Sequence, residues 1–157
     1  MLKWYLAATT EADIDQIFEI ERYSFEQPWS RASFLEELIC KNAVNYVVKS
    51  GNSHDHEEIV AYIFFHLIED EMHLLKIAVT PEWRCQGLAV WLLGKSFSTA
   101  LEKDVSTVSL EVRPSNKPAI TLYKKLGFVI TGKRPNYYSE AREDAMVLTK
   151  NLKEKAL

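Results

Sequence analysis

The chain has 157 residues, 47% hydrophobic and 26% charged, with a net charge of −3. That length suits one domain, residues 1–157, built on a single core. The composition excludes low-complexity and repeat classes, and the charge gives no reason to expect a nucleic-acid partner.

The N-terminal stretch MLKWYLAATT carries one lysine and little apolar length, a poor signal peptide. Residues 2–8 are predicted as a strand. Thr10 opens a helix over 11–25, with Ile14, Ile17, Phe18 and Ile20 in its apolar pattern. The segment EQPWS breaks it. Ser30 caps a second helix over 31–40, with Phe34, Leu35 and Leu38 on one face. Strands follow at 42–50 and 57–68, joined by the turn 51–56 that contains His54 and His56. The run IVAYIFFHLI (59–68) is about half the length of a membrane-spanning helix. A cytoplasmic protein with no membrane partner is expected. Residues 69–71 form an acidic turn, and 74–79 another strand. His66 and His73 fall in strand-like stretches with no evident partner.

A helix of about four turns is predicted over 88–103. A strand over 105–113, a helix over 119–127 capped by Ser115 or Asn116, a strand over 128–133, a loop at NYYS (136–139) and a strand over 143–150 complete the chain. The order is βααβββαβαββ, an α/β protein around one sheet. Charge is uneven along it. Residues 1–79 hold 6 Lys/Arg and 14 Asp/Glu, a net of −8; residues 80–157 hold 13 and 8, a net of +5. Such asymmetry can steer two ligands of opposite sign.

Three anion-binding patterns compete around RCQGLAVWLLGKS (84–96). The dinucleotide fingerprint G-x-G-x-x-G is missing. The Gly94-Lys95-Ser96 triplet imitates a nucleotide P-loop, but Val90, Trp91, Leu92 and Leu93 are bulky and belong inside a helix. Gly94 is expected where that helix packs closely. The third pattern is R-x-x-G-x-A: Arg84, Cys85, Gln86, Gly87, Leu88 and Ala89, placed between a strand and a helix N-terminus. Free N–H groups and the helix dipole there suit a pyrophosphate, Gly87 admits close approach, and Arg84 adds a cation. Taken alone, the hexapeptide is also compatible with an ordinary strand–helix turn.

That loop, a strand ending LEVR and the segment SNKPAITLYKKLGF together resemble the GNAT acyl-CoA N-acetyltransferases. The segments FEQPWSRASF, LEVRPSNKPAITLYKKLGF and RPNYYSEAREDAMVL narrow the resemblance to the bacterial ribosomal-protein-alanine N-acetyltransferases of the RimI type. It implies the single-domain GNAT fold, a mixed and mostly antiparallel central sheet with about four helices. It implies acetyl-CoA as co-substrate, held by Arg84 to Val90 and by the backbone of Ile77, Ala78 and Val79, with Asn116 and Tyr123 near the thioester. The implied acceptor is a protein N-terminus, the alanine that begins the eighteenth small-subunit ribosomal protein. Two positions depart from the pattern: many relatives have glycine at Ala89 and a basic or polar residue at Cys85.

Amine acetylation needs a base, because an α-amine with a pKa near ~8 is mostly protonated at neutral pH. Ser109, Glu111 and Arg113 share one strand face, opposite Val108, Leu110 and Val112. The resemblance implies Glu111 as general base; the residues alone also allow a solvated carboxylate paired with Arg113 or a lysine. It implies Tyr123 as general acid, where spacing alone would allow a core aromatic with a satisfied hydroxyl. For Asn116 a helix cap is a full alternative. Cys85 lacks a base partner and is expected as a site where alkylation blocks the coenzyme rather than as a nucleophile. Pro28, Trp29, Tyr137 and Tyr138 are candidates for gripping a peptide, aromatic faces with polar tips being suited to that. The cysteines Cys40 and Cys85 form no disulfide framework, no Cys/His cluster has zinc spacing, and no metal is expected. A monomer is expected. A small-amine acceptor on the same fold and a non-catalytic acetyl-CoA-binding module remain the alternatives.

Overall fold

A computed structural model describes residues 4–51, 57–138 and 142–153. The elements are β1 (Tyr5–Ala8), α1 (Ile14–Ser24), α2 (Arg31–Ile39), β2 (Ala43–Ser50), β3 (Glu58–Ile68), β4 (Glu71–Val79), α3 (Leu88–Glu102), β5 (Thr107–Val112), α4 (Lys117–Lys125), β6 (Val129–Tyr138) and β7 (Glu143–Asn151). Single 3-10 turns at Glu11–Asp13 and Pro81–Trp83 precede α1 and the loop before α3. The expected order of elements is the observed one. The predicted turn 51–56, with His54 and His56, lies outside the described residues beyond Gly51.

The strands hydrogen-bond in the order β1-β2-β3-β4-β5-β7-β6. β4 and β5 run parallel. The pairs β1–β2, β2–β3, β5–β7 and β6–β7 are antiparallel. Four α-helices accompany the seven strands, and among the described residues none is long and apolar enough to cross a membrane.

The chain forms two compact units, Met1–His66 with Lys76–Thr99 and Leu67–Leu75 with Ala100–Leu157. The first is organised by aromatic and branched residues. Ile14, Ile17 and Ile20 from α1, Phe34 from α2, Val47 from β2 and Ile59, Tyr62 and Phe64 from β3 form one buried cluster. α1 supplies it because its apolar residues recur at three- and four-residue spacing. Ser30 Oγ accepts from Ser33 N at 3.1 Å and fixes the start of α2. In the second unit, Val108, Leu110 and Val112 of β5 are buried with Ile120, Tyr123, Phe128, Ala145 and Leu148. Period-2 alternation leaves Glu111 on the opposite face of β5 from Leu110 and Val112.

Three expectations are corrected. β4 begins at Glu71 rather than Leu74, so the acidic turn shrinks to Glu69 and Asp70. The predicted loop at NYYS is strand through Tyr138, with Ser139 outside the described residues. A register shift between Arg134 and Tyr138 absorbs the irregularity, and Asn136 takes φ 52 there. Finally, Gly94 is not at a tight helix contact. It lies within α3, exposed, and a Cβ built on it meets nothing within 4 Å. Gly94→Ala is therefore expected to stabilise the fold by about 0.5–1 kcal/mol, because glycine costs backbone entropy in a helix. A lower thermal midpoint in that variant would mean the position is crowded after all.

Candidate active site

The first unit contains the loop and its supports. The end of β4 runs through Ile77, Ala78 and Val79, of which Ala78 and Val79 are buried. Arg84 then folds back, its Nε donating to the Val79 carbonyl at 2.9 Å and its Nη2 to Ser24 Oγ at 3.4 Å. Gln86 Nε2 donates to the Glu82 carbonyl at 3.1 Å. Arg84 thus closes the loop onto the strand end as well as bringing a cation to it. Within the loop the sign of φ alternates: −72 at Arg84, 60 at Cys85, 83 at Gly87.

The first hydrogen bond of α3 is Trp91 N to Gly87 O at 3.0 Å. Leu88, Ala89 and Val90 therefore keep N–H groups with no intrahelical acceptor. A Cβ on Gly87 would meet nothing within 4 Å, so what requires glycine there is its φ of 83. Leu88 is buried, Ala89 partly buried, and Val90 exposed. Cys85 is a free, exposed thiol. The donors, the open space at Gly87 and the small side chain of Ala89 fit a pyrophosphate.

The same unit places Pro28 and Trp29 in the turn between α1 and α2. Pro28 is exposed, while the Trp29 ring packs on Phe34 at 5.3 Å and Phe64 at 6.2 Å between centroids. The turn is pinned by Glu21, whose side chain is fully buried. Glu21 Oε2 accepts from Trp29 N at 2.8 Å and pairs with Lys76 Nζ at 2.8 Å; Oε1 accepts from the Tyr62 hydroxyl. Burial and the Glu21 charge hold the Tyr62 phenol far above its ordinary pKa. The Lys76 ammonium also sits 3.7 Å from the Phe25 ring centroid. Sequence reasoning missed Glu21. The signal was there: it continues the Ile14, Ile17 stripe of α1 at the next helical step.

The second unit contains the carboxylate and the tyrosines. Glu111 has a side chain only 7% exposed. Its Oε2 is 2.6 Å from His73 Nε2, and its Oε1 is 3.2 Å from Arg134 Nη2. Among the described residues neither Arg113 nor a lysine is its partner; the Arg113 guanidinium lies over the Tyr138 ring at 4.3 Å. Burial pushes the Glu111 carboxyl up, but the His73 hydrogen bond and the His73 and Arg134 charges hold it below the usual carboxylate range. His73 moves the other way, above its ordinary value, through its bond to Glu111 against the opposing effect of burial.

The expectation that His66 and His73 lack partners is thus corrected. His66 Nε2 meets Glu37 Oε2 at 2.7 Å, with Cys40 Sγ 4.0 Å away. Among the described residues, Glu37, Cys40 and His66 are the one group whose potential ligand atoms lie within 4.8 Å of one another. Both pairings join residues far apart in sequence, which spacing does not reveal.

Tyr123 is buried in α4, its ring edge-on to Phe128 at 5.4 Å. Among the described residues its hydroxyl has no hydrogen-bond partner, so it is not a core phenol with its polar tip satisfied. Burial and the neighbouring Tyr138 keep it protonated well beyond the usual phenol range. Asn116 caps α4, Oδ1 accepting from Ala119 N at 3.3 Å. The Tyr137 and Tyr138 rings are perpendicular with centroids 5.0 Å apart. Tyr138 is pushed up to about 12, by burial first and then by Tyr137. The acidic residues before β7 hold this end of β6 in shape. Asp144 accepts from Asn136 N at 2.6 Å and pairs with Lys133 at 3.0 Å, while Glu143 accepts from Ser115 N and Oγ at 3.0 and 3.1 Å.

The sequence model of the Acetyltransferase (GNAT) family matches residues 14–128. The chain belongs to the GNAT family of acetyltransferases. This acetyltransferase is 38% identical over 136 residues to a Bacillus subtilis (strain 168) protein provisionally named a ribosomal protein bS18-alanine N-acetyltransferase, covering 87% of each chain. It is 30% identical over 145 residues to the Escherichia coli (strain K12) protein of that name, covering 91% of this chain and 94% of that one. The crystal structure of the E. coli ribosomal-protein-S18-alanine N-acetyltransferase superposes with a TM-score of 0.84 at 29% identity, over 98% and 96% of the two chains. The acetyltransferase shares its fold with Arabidopsis thaliana NAA60, solved with acetyl-CoA, at a TM-score of 0.83 and 17% identity, over 96% and 99% of the chains.

Proposed function

We propose that the chain transfers the acetyl group of acetyl-CoA to the N-terminal α-amine of a protein, and that its acceptor is the alanine that begins ribosomal protein bS18. The observation that carries this reading is the buried, ion-paired Glu111 in a chain that aligns almost end to end with relatives of that name. The loop Arg84–Val90 and the strand residues Ile77, Ala78 and Val79 are assigned to the coenzyme, with Asn116 beside its pantetheine arm. The free N–H groups of Leu88, Ala89 and Val90 and the charge of Arg84 supply what a pyrophosphate needs.

Acetyl-CoA brings an activated thioester carbonyl. Glu111 takes a proton from the incoming ammonium, giving a neutral amine that can attack. The C–N bond forms, the C–S bond breaks, and the sulfur leaves with the electron pair; the nitrogen sheds its second proton as the amide forms, which balances the proton that the sulfur gains. Tyr123 stays protonated at every physiological pH, so it can only donate, and we assign it to the leaving sulfur. Both substrates react in one ternary complex. Cys85 takes no part in bond making; its exposed thiol makes it a place where alkylation obstructs the loop.

For the acceptor we assign Pro28, Trp29, Tyr137 and Tyr138. Trp29 shapes its turn through core packing, and Pro28 offers the exposed surface. Tyr137 and Tyr138, at the end of β6, bring two rings with hydroxyls, held by Arg134 and Arg113 respectively. The experiment is a competition: the protein, acetyl-CoA, an alanine-initiated peptide and spermidine in one mixture. Acetyl gain on the peptide alone is expected. Gain on spermidine alone overturns the acceptor, and gain on neither, with acetyl-CoA bound, leaves a non-catalytic module.

A further inference from the structure

The base assigned above has a difficulty, and its solution is next to it. A carboxylate held below its usual range is a poor acceptor for an ammonium proton. Glu111 is also nearly sealed from water, 7% exposed, so a proton placed on it needs a way out. His73, whose own bond helps to hold the carboxylate low, supplies the way out by position. Its Nε2 is 2.6 Å from Glu111 Oε2, and its own side chain is 30% exposed. Arg134 occupies the other oxygen, Oε1, at 3.2 Å.

The pair is built by the parallel register. His73 of β4 faces Ser109 of β5, and Glu111 is the next residue on that face. The charged and titratable groups around the ring come from three strands: Glu71 on β4, Glu111 on β5, and Arg134 on β6. Ser109 Oγ donates to Glu71, which holds that carboxylate on the same face. Tyr137 of β6 feels both Glu111 and Arg134.

We infer that His73 is a positioning and relay residue for the base, holding Glu111 Oε2 in place and carrying the proton of the incoming amine from the buried carboxylate to water. This rests on the reading of Glu111 as base. The balance is simple. The N–H bond of the ammonium breaks and its proton goes to Glu111. The carboxylic acid gives a proton to the bare Nε2 of a neutral imidazole in its Nδ1–H tautomer, restoring the carboxylate, which Nε2–H then holds in place; the imidazolium releases a proton from Nδ1 to solvent, and exchange with water at the partly exposed ring returns the Nδ1–H tautomer for the next turnover. No electron changes hands. A protonated His73 blocks the relay, because its Nε2 already carries a proton. Activity should therefore rise as His73 loses its charge. Since the Glu111 bond favours the charged ring, that rise lies above the ordinary imidazole value of 6.5.

The test pairs His73→Gln with Glu111→Gln, each in the full chain. Glutamine at 73 can still donate a hydrogen bond but does not titrate. Its kcat is expected to fall about 10–100-fold, less than the ~10²–10⁴-fold a general base supplies, with the KM for acetyl-CoA unchanged. The acid limb due to the imidazole should vanish from its pH profile; the acceptor amine titrates in both proteins and cancels in the comparison. A wild-type pH profile in His73→Gln overturns the inference. An independent arm follows the His73 ring by NMR titration in the wild-type chain and in Glu111→Gln, which stands even if His73→Gln fails to fold. The midpoint should drop in Glu111→Gln, and an unmoved midpoint overturns the pairing. Wild-type turnover in Glu111→Gln instead overturns the base reading, whatever the NMR arm reports.

Discussion

Glu111→Gln lowers kcat by about 10²–10⁴-fold at neutral pH, the range a positioned general base contributes. The amide keeps the shape and one acceptor oxygen but takes no proton. The affinity for acetyl-CoA stays as in the wild type, because the residues assigned to the coenzyme are those of the loop, β4 and α4. The loss should shrink as pH rises. An α-amine with a pKa near ~8 deprotonates in bulk water above that pH, and the base then has little left to do. A loss that is equally large from pH 6 to 10 would assign Glu111 a purely positional part. Folding changes little, by about 1 kcal/mol, since His73 and Arg134 are exposed enough to regain water when the carboxylate charge is removed. Initial rates across pH, with binding of acetyl-CoA measured calorimetrically, check all of this.

Tyr123→Phe is expected to cost about 10²-fold in kcat or more, at unchanged fold stability. The ring is buried and edge-on to Phe128, and phenylalanine preserves both features. The hydroxyl has no hydrogen-bond partner among the described residues, so its removal leaves no protein group unsatisfied. The variant therefore separates chemistry from packing. What it removes is the one proton Tyr123 can offer to a sulfur on which negative charge is developing. A thiol of ordinary pKa near ~8.5 is a moderate leaving group, so the step slows and does not stop. A wild-type rate would assign Tyr123 to packing alone. Loss of acetyl-CoA binding in place of loss of kcat would assign the hydroxyl to the coenzyme.

Local chemistry explains what could be read from the chain. Ser30 marks the start of α2, and of the two cap candidates for α4, Ser115 and Asn116, it is Asn116 whose side chain satisfies an N–H group that the helix leaves open. The Gly-Lys-Ser triplet was recognisable as helix because Val90 to Leu93 are too bulky to curl round a phosphate. Glu111 stood out because alternation along β5 places it on the face opposite three apolar residues. The partners of Glu111 were out of reach. His73 is 38 positions earlier and meets it only through the β4–β5 register, which no local pattern specifies. Glu21 falls on the apolar stripe of α1 by helical spacing, but its partners Tyr62 and Lys76 come from two other strands. The end of β6 departs from the expected loop although Pro135 and Asn136 carry turn chemistry. Asp144 ties the Asn136 N–H and the strand continues past the irregularity to Tyr138.

One measurement bears most directly on the central assignment: intact-mass analysis of peptides incubated with the protein and acetyl-CoA, with released free thiol read in the same samples. One peptide begins with alanine and has a free α-amine. The other has the same sequence with its N-terminus blocked and a lysine left free. The assignment requires a single acetyl gain on the first peptide, matched by an equal amount of thiol, and no gain on the second. Acetylation of the blocked peptide at its lysine, or thiol release without gain on either, would contradict it.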